Sequence, residues 1–119
     1  MTVRMLCIVV ALLIPVSATA NEVTPDPLFI VHFETGPSWD HSVPPTEQTQ
    51  FREHSANLNR LRGEGTIVFG ARYGDLGVII LQVASLEAAE SLIRADPGVL
   101  SGIFTFRIES LNVFYPWQT

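Results

Sequence analysis

The chain has no lysine and one cysteine, Cys7, among its 119 residues. Its seven arginines stand against twelve acidic residues, a formal net charge of −5. A cation-poor chain repels phosphate backbones and anionic lipid, so nucleic acid and charged membrane surfaces are poor partners. The phenylalanines, including Phe29, Phe33, Phe69, Phe104 and Phe106, offer no stacking platform for bases, because they fall in strand-like runs with few basic neighbours. One cysteine cannot form an internal disulfide, so the fold must rest on its core. No G-x-S-x-G nucleophile elbow and no G-x-G-x-x-G phosphate loop occurs. Nor is there an apolar run of about twenty residues, the length needed to span a bilayer.

The longest apolar run, residues 6–14, reads instead as the core of an export signal. Arg4 precedes it, Pro15 breaks it, and Ala18-Thr19-Ala20 supplies a small-residue cleavage pattern. Cys7 lies inside this signal without the small-residue context of a lipoprotein. Residues 1–20 are therefore expected to be removed and the protein to be periplasmic or secreted, with no stable membrane anchor. The remaining 99 residues carry six arginines and twelve acids, a formal charge of −6, and suffice for one compact domain. Residues 21–27, with Pro25 and Pro27, read as a linker, and residues 28–119 as the domain.

Residues 28–33 form a continuous apolar and β-branched run, broken only by His32 and closed by Gly36-Pro37, the pattern of a buried strand. Residues 35–45 are turn-forming and carry Trp39 and His41. Thr46 is a candidate N-cap for a helix whose stripe runs Phe51, His54, Leu58, Leu61, with Arg52, Glu53, Asn59 and Arg60 facing outward and Gly63 and Gly65 ending it. Strands follow at residues 66–69 and 78–83, around a turn at 73–77. Ser85 caps a second helix with apolar Leu86, Ala89, Leu92 and Ile93, and one further turn along that stripe lands on Asp96. Pro97-Gly98 interrupts it, residues 99–102 add a helical turn, and residues 104–114 form the last strand. The alternation in that strand slips at Glu109-Ser110, which predicts a β-bulge there.

The order β-α-β-β-α-β predicts a ferredoxin-like α+β fold: a four-stranded antiparallel sheet with both helices on one face. The first and third strands are apolar on both alternating faces, so the second sheet face should also be covered. A second copy of the chain is the simplest cover, and a homodimer with sheets face to face is expected.

Two titratable groups, His54 and Asp96, thus occupy helix positions where leucine would serve. An imidazole beside a carboxylate can act as a general acid and base, because the carboxylate holds the tautomer and stabilises the imidazolium. Each residue also has a plainer reading. His54 could be a core histidine satisfied by a backbone carbonyl, and Asp96 before Pro97 has the form of an N-cap followed by proline at N1.

In order along the chain, Leu28-Phe29-Ile30-Val31-His32-Phe33, Gly36-Pro37-Ser38-Trp39, His54 with Leu58 and Leu61, Gly70, Ala95-Asp96-Pro97 and Gly102 resemble the YCII-related (YciI-like) domain family. The resemblance spans essentially the whole of residues 28–119. It implies a dimeric α+β barrel and a His-Asp pair, here His54 and Asp96, as the catalytic residues. The family includes a dehydrochlorinase acting on a hydroxylated aromatic ring and is akin to muconolactone isomerases, which implies proton transfer on a small cyclic or carbonyl compound. Ala71-Arg72 departs from the Gly or Pro common after Gly70 in the family, and an export signal is unusual for it.

Trp39 is a candidate ligand-binding residue, a flat ring on a proline-rich loop, or else a loop anchor on the core. His32 is a second candidate on the first strand, or else a satisfied buried histidine. His32, His41, His54 and Asp96 are zinc-ligand types, but no two have a compact ligand spacing, so no metal and no cofactor is expected. The leading expectation is an acid/base enzyme of isomerisation or elimination. The alternatives are a non-catalytic small-molecule-binding module and a structural dimerisation domain, and open space beside His54 separates the first two from the third.

Overall fold

A computed structural model describes residues 2–3, 8–14 and 23–118. Arg4, Cys7, Pro15, the Ala18-Thr19-Ala20 motif and Asn21 lie outside the described residues, and residues 8–14 carry no helix or strand. No helix among the described residues is long and apolar enough to cross a membrane.

The elements are β1 (Leu28–Thr35), a 3-10 turn (Pro45–Glu47), α1 (Phe51–Gly63), β2 (Ile67–Tyr73), β3 (Leu76–Gln82), α2 (Leu86–Arg94), α3 (Pro97–Leu100) and β4 (Phe104–Leu111). The sheet order is β2-β3-β1-β4 with every pairing antiparallel, the ferredoxin-like arrangement. Alternation in β1 sends Phe29, Val31 and Phe33 to the helix side, where they join Leu61, Ile79, Leu81, Ala89 and Ile93 in the core. Burying such side chains stabilises by about 1.5–3 kcal/mol each.

The opposite sheet face carries no helix among the described residues. By register it presents Leu28, Ile30, His32, Phe69, Tyr73, Leu76, Val78, Ile80 and Leu111. Phe69 and Tyr73 are each 47% exposed, and a face so apolar is uncommon on a lone soluble domain.

Three local expectations are corrected. Thr46 is not the N-cap of α1: it lies in the 3-10 turn, and the cap is Gln50 with φ 65°, a left-handed conformation that lets the chain turn sharply into the helix. β2 and β3 extend further into the hairpin, leaving Gly74 and Asp75 as the turn, with Gly74 at φ 56°. β4 ends at Leu111, and its register with β1 runs unbroken from Phe104 to Leu111, so no bulge occurs at Glu109-Ser110. The slip there is a change of face. Ser110 takes the helix side opposite Phe29, and Leu111 lies on the uncovered face opposite Leu28. The bulge is instead in β2, where the register shifts between Ile67 and Phe69.

Candidate active site

His54, in α1, and Asp96, 42 residues later, come together. Asp96 does not continue the α2 stripe as expected, because α2 ends at Arg94 and Asp96 is the extended N-cap of α3. His54 lies one turn into α1 and is buried, at 7% exposure, while Asp96 is fully sealed at 0%. His54 Nδ1–H donates to Asp96 Oδ2 at 2.6 Å. The same Oδ2 accepts the Gly98 backbone N–H at 3.0 Å, the cap of α3, and Oδ1 accepts Asn57 Nδ2 at 2.9 Å. Capping and holding His54 are therefore done by one carboxylate, and the N-cap reading of Asp96 holds. His54 is satisfied by that carboxylate, not by a backbone carbonyl.

The geometry leaves one nitrogen free to act. With Nδ1 protonated toward Asp96, Nε2 carries the lone pair. Nε2 has no partner among the described residues, yet none of their side-chain nitrogens or oxygens is both sealed and unpartnered. Nε2 is therefore accessible from outside. It opens onto a cavity of about 700 Å³ lined by Phe33, Trp39, Phe51, His54, Arg72 and Phe104, among others, a volume in the range of small-molecule sites.

The walls are aromatic. The His54 ring lies 4.7 Å from the Phe104 ring, 5.5 Å from Phe33 and edge-on to it, and 6.1 Å from Phe51. Trp39 packs on Phe104 at 5.5 Å between centroids. Flat apolar walls suit a flat unsaturated ligand and lower the local dielectric, which strengthens the His54–Asp96 hydrogen bond.

Backbone contacts that no side chain could tolerate hold this arrangement. A Cβ on Gly98 would stand 2.9 Å from His54 Nδ1, 2.9 Å from Phe104 Cδ2 and 3.0 Å from Asp96 Oδ2, so only glycine lets α3 approach the pair so closely. Gly36 likewise lies against the Gly102 carbonyl, and Gly102 has φ 78°. This join ties the start of the Trp39 loop to the end of α3, with Gly36 N–H donating to Ile103 O at 2.8 Å and Ser38 N–H to Gly102 O at 2.9 Å.

Buried Gln48 fastens the loop's far side. Its Oε1 accepts the Asp40 N–H at 2.8 Å, and its Nε2 donates to Asp40 O at 2.6 Å and Val43 O at 3.2 Å. At the loop tip, the Ser42 hydroxyl and then its backbone N–H donate to Asp40 Oδ1 and hold that carboxyl below its usual range.

Of the residues singled out in sequence, His54, Trp39 and His41 line the cavity, with Asp96 sealed behind His54. His32 does not. It lies on the uncovered face, where its Nδ1 is hydrogen-bonded to the Tyr73 hydroxyl at 2.8 Å. Among the described residues, no group of three or more His, Cys, Asp or Glu side chains is gathered as for a metal. Asn57, Gly98, Phe104 and Arg72 were not among the site residues expected from the sequence. Asn57 had a signal, since it follows His54 by three and shares its side of α1; the others depend on long-range packing.

A ferredoxin-like domain with a carboxylate-held histidine opening into an aromatic cavity defines the class of this protein. The YCII-related domain model matches residues 33–110, more than half the chain, and the protein belongs to that family. No curated protein matches it. Among solved structures it is similar to 5-chloro-2-hydroxyhydroquinone dehydrochlorinase from Burkholderia phenoliruptrix AC1100, in complex with 2,5-dihydroxybenzoquinone. The identity is 19%, the match covers 71% of this chain and 93% of that one, and the TM-score is 0.50, a likeness of fold.

Proposed function

We propose that this protein is a general acid/base enzyme catalysing isomerisation or elimination on a small cyclic or carbonyl compound. The observation that carries this reading is His54, with Nδ1 held at 2.6 Å by a sealed carboxylate and Nε2 accessible from the cavity. Nε2 takes a proton from a carbon made acidic by a neighbouring carbonyl, and Asp96 stabilises the imidazolium that forms. His54 then returns the proton to another carbon in an isomerisation, or to a leaving group in an elimination. A positioned acid/base group of this kind contributes about 10²–10⁴-fold. The dehydrochlorination performed by the structurally similar enzyme is an elimination on a hydroxylated ring, which agrees with this chemistry.

The protein acts, in this proposal, as an exported homodimer. The export rests on the signal-like residues 1–20, and the dimer on the apolar uncovered sheet face, whose cover is a second copy of the same face. Light scattering at micromolar concentration should return twice the chain mass; a monomer mass refutes the dimer.

The catalytic proposal is tested by incubating the protein in D₂O with cyclic enones and chlorinated hydroxyquinols and following loss of carbon-bound hydrogen by ¹H NMR. Exchange above the buffer rate is expected, falling at least 100-fold in His54→Gln. Exchange that His54→Gln leaves intact refutes the assignment.

A further inference from the structure

Arg72 lines the same cavity as His54 and has no carboxylate partner among the described residues. The ion pairs among the described residues are His54–Asp96 and Arg60–Glu64. Arg62 donates to the Ile67 carbonyl, Arg94 lies over the Phe106 ring, and Arg107, in register with His32, is on the uncovered face. Arg52 is exposed on α1 and does not line the cavity, so Arg72 is the arginine among the described residues that lines it, in a chain with a net charge of −5.

Strand register places it with respect to His54. Arg72 pairs with Gly77, and Gly77 pairs with Phe33, so the three form one row across β2, β3 and β1 on the helix side. Neighbouring strands are about 4.8 Å apart, which puts the Arg72 and Phe33 backbones roughly 10 Å from each other. Between them Gly77 has no side chain. A Cβ there would meet Phe33 atoms at 3.7 and 3.9 Å, ordinary contact distances, so packing does not require the glycine. Gly70, two residues before Arg72 on the same face, is equally bare. The sheet therefore offers an open floor with a guanidinium at one end and, at the other, Phe33 with His54 edge-on to it at 5.5 Å.

We propose that this floor binds a planar monocyclic carboxylate. The ring lies over Gly77 among Phe33, Phe51 and Phe104, and Arg72 holds the carboxylate through paired N–H donors, a geometry the guanidinium fork matches. Arg72 is the specificity-determining residue. That it orients a substrate's ring toward His54 rests on the acid/base reading above; that it selects an anion does not. Asp75 also lines the cavity from the β2–β3 turn, and its charge disfavours di-anions, so one carboxylate is preferred to two.

The test is an NMR titration of the purified full chain with benzoate, its neutral isostere benzamide, and non-planar cyclohexanecarboxylate. Benzoate is expected to shift the Gly70 and Gly77 amides saturably, with benzamide and cyclohexanecarboxylate each about tenfold weaker or more. Arg72→Gln, at an exposed position where folding is undisturbed, should reduce benzoate to the level of benzamide and leave benzamide unchanged. Gly77→Val should weaken both by filling the floor. Equal binding of benzoate and benzamide, a benzoate affinity unaffected by Arg72→Gln, or no saturable binding overturns the proposal. If benzoate selectivity depends on Arg72 while deuterium exchange does not depend on His54, the acid/base reading falls and the carboxylate site stands. The opposite pair of results removes the site and keeps the reading.

Discussion

Replacing Gly98 with alanine sets helix propensity against packing, and the distances decide which wins. Alanine in a helix is favoured over glycine by about 1 kcal/mol, so on propensity alone Gly98→Ala would stabilise α3. The new methyl group, however, would lie 2.9–3.0 Å from His54 Nδ1, Phe104 Cδ2 and Asp96 Oδ2, well inside contact distance. Restoring normal contacts moves each neighbour by about 0.5 Å, an overpacking penalty of about 1–3 kcal/mol. The methyl also wedges between the partners of a 2.6 Å hydrogen bond and pushes it beyond about 3.2 Å, which forfeits about 1.5–3 kcal/mol for a bond to a charged acceptor.

The net is a loss of roughly 2–4 kcal/mol, which for a domain of this size lowers Tm by on the order of 10–20 °C. Scanning calorimetry measures the loss, and imidazole ¹⁵N shifts report the tautomer. The wild type should show His54 protonated at Nδ1, and Gly98→Ala should lose that preference. A Tm equal to or above wild type, with the Nδ1–H tautomer kept, would refute the reasoning.

Asn57→Ala removes the donor to Asp96 Oδ1 and should cost about 1–3 kcal/mol. Chemical denaturation should show this even though Asn57 is only half-buried. Asp96→Ala leaves the His54 Nδ1–H unpartnered in its aromatic surroundings and uncaps α3, so a larger loss of about 2–5 kcal/mol is expected. Gln48→Ala should release the Trp39 loop at a cost of about 1–3 kcal/mol and raise its protease sensitivity, whereas cleavage at the wild-type rate would show that Gln48 does not fasten it. Gly36→Ala drives a methyl group into the Gly102 carbonyl and should leave no cooperative transition in calorimetry.

The Asp40 carboxyl is held below its ordinary value of 3.8 by Ser42, so the folded loop prefers it ionised. That contribution is complete above the ordinary value and is lost as pH falls through the lower folded one. A ¹³C titration should find the Asp40 midpoint low in the wild type and raised in Ser42→Ala.

The sequence displayed His54 because a helix stripe is a local pattern, and a titratable residue at a leucine position interrupts it visibly; Asp96 was legible through its Asp-Pro cap form, and not as a stripe position, since α2 ends at Arg94 and Asp96 is extended. β1, the capped α2 and the topology were legible for the same reason, since each rests on alternation, three-four spacing or punctuation within a few residues. The Thr46 cap was misread because a left-handed Gln50 leaves no composition signal. A bulge was expected in β4, where a change of face imitates a slip in alternation. Arg72 and Gly77 stayed hidden because their relation to His54 runs through the register of three strands, which no stretch of sequence displays.

The bulge in β2 has an evolutionary consequence. Ile67 faces the helices and Phe69, two residues on, faces the other way, so the extra residue inverts every side chain that follows in that strand. The same residues paired regularly, with Val68 taking its own place in the ladder, would send Gly70 and Arg72 to the uncovered face and put Phe69, Ala71 and Tyr73 over the cavity. Loss of the Val68 codon would only regularise the strand and leave Gly70 and Arg72 over the cavity. Gain of one codon between Phe69 and Gly70, paired as strand, would instead exchange a bare cationic floor for a filled neutral one, while the His54–Asp96 pair on the opposite wall stayed in place. A one-residue insertion in this edge strand changes what the pocket admits in a single step, a change that point substitution would need several steps to match.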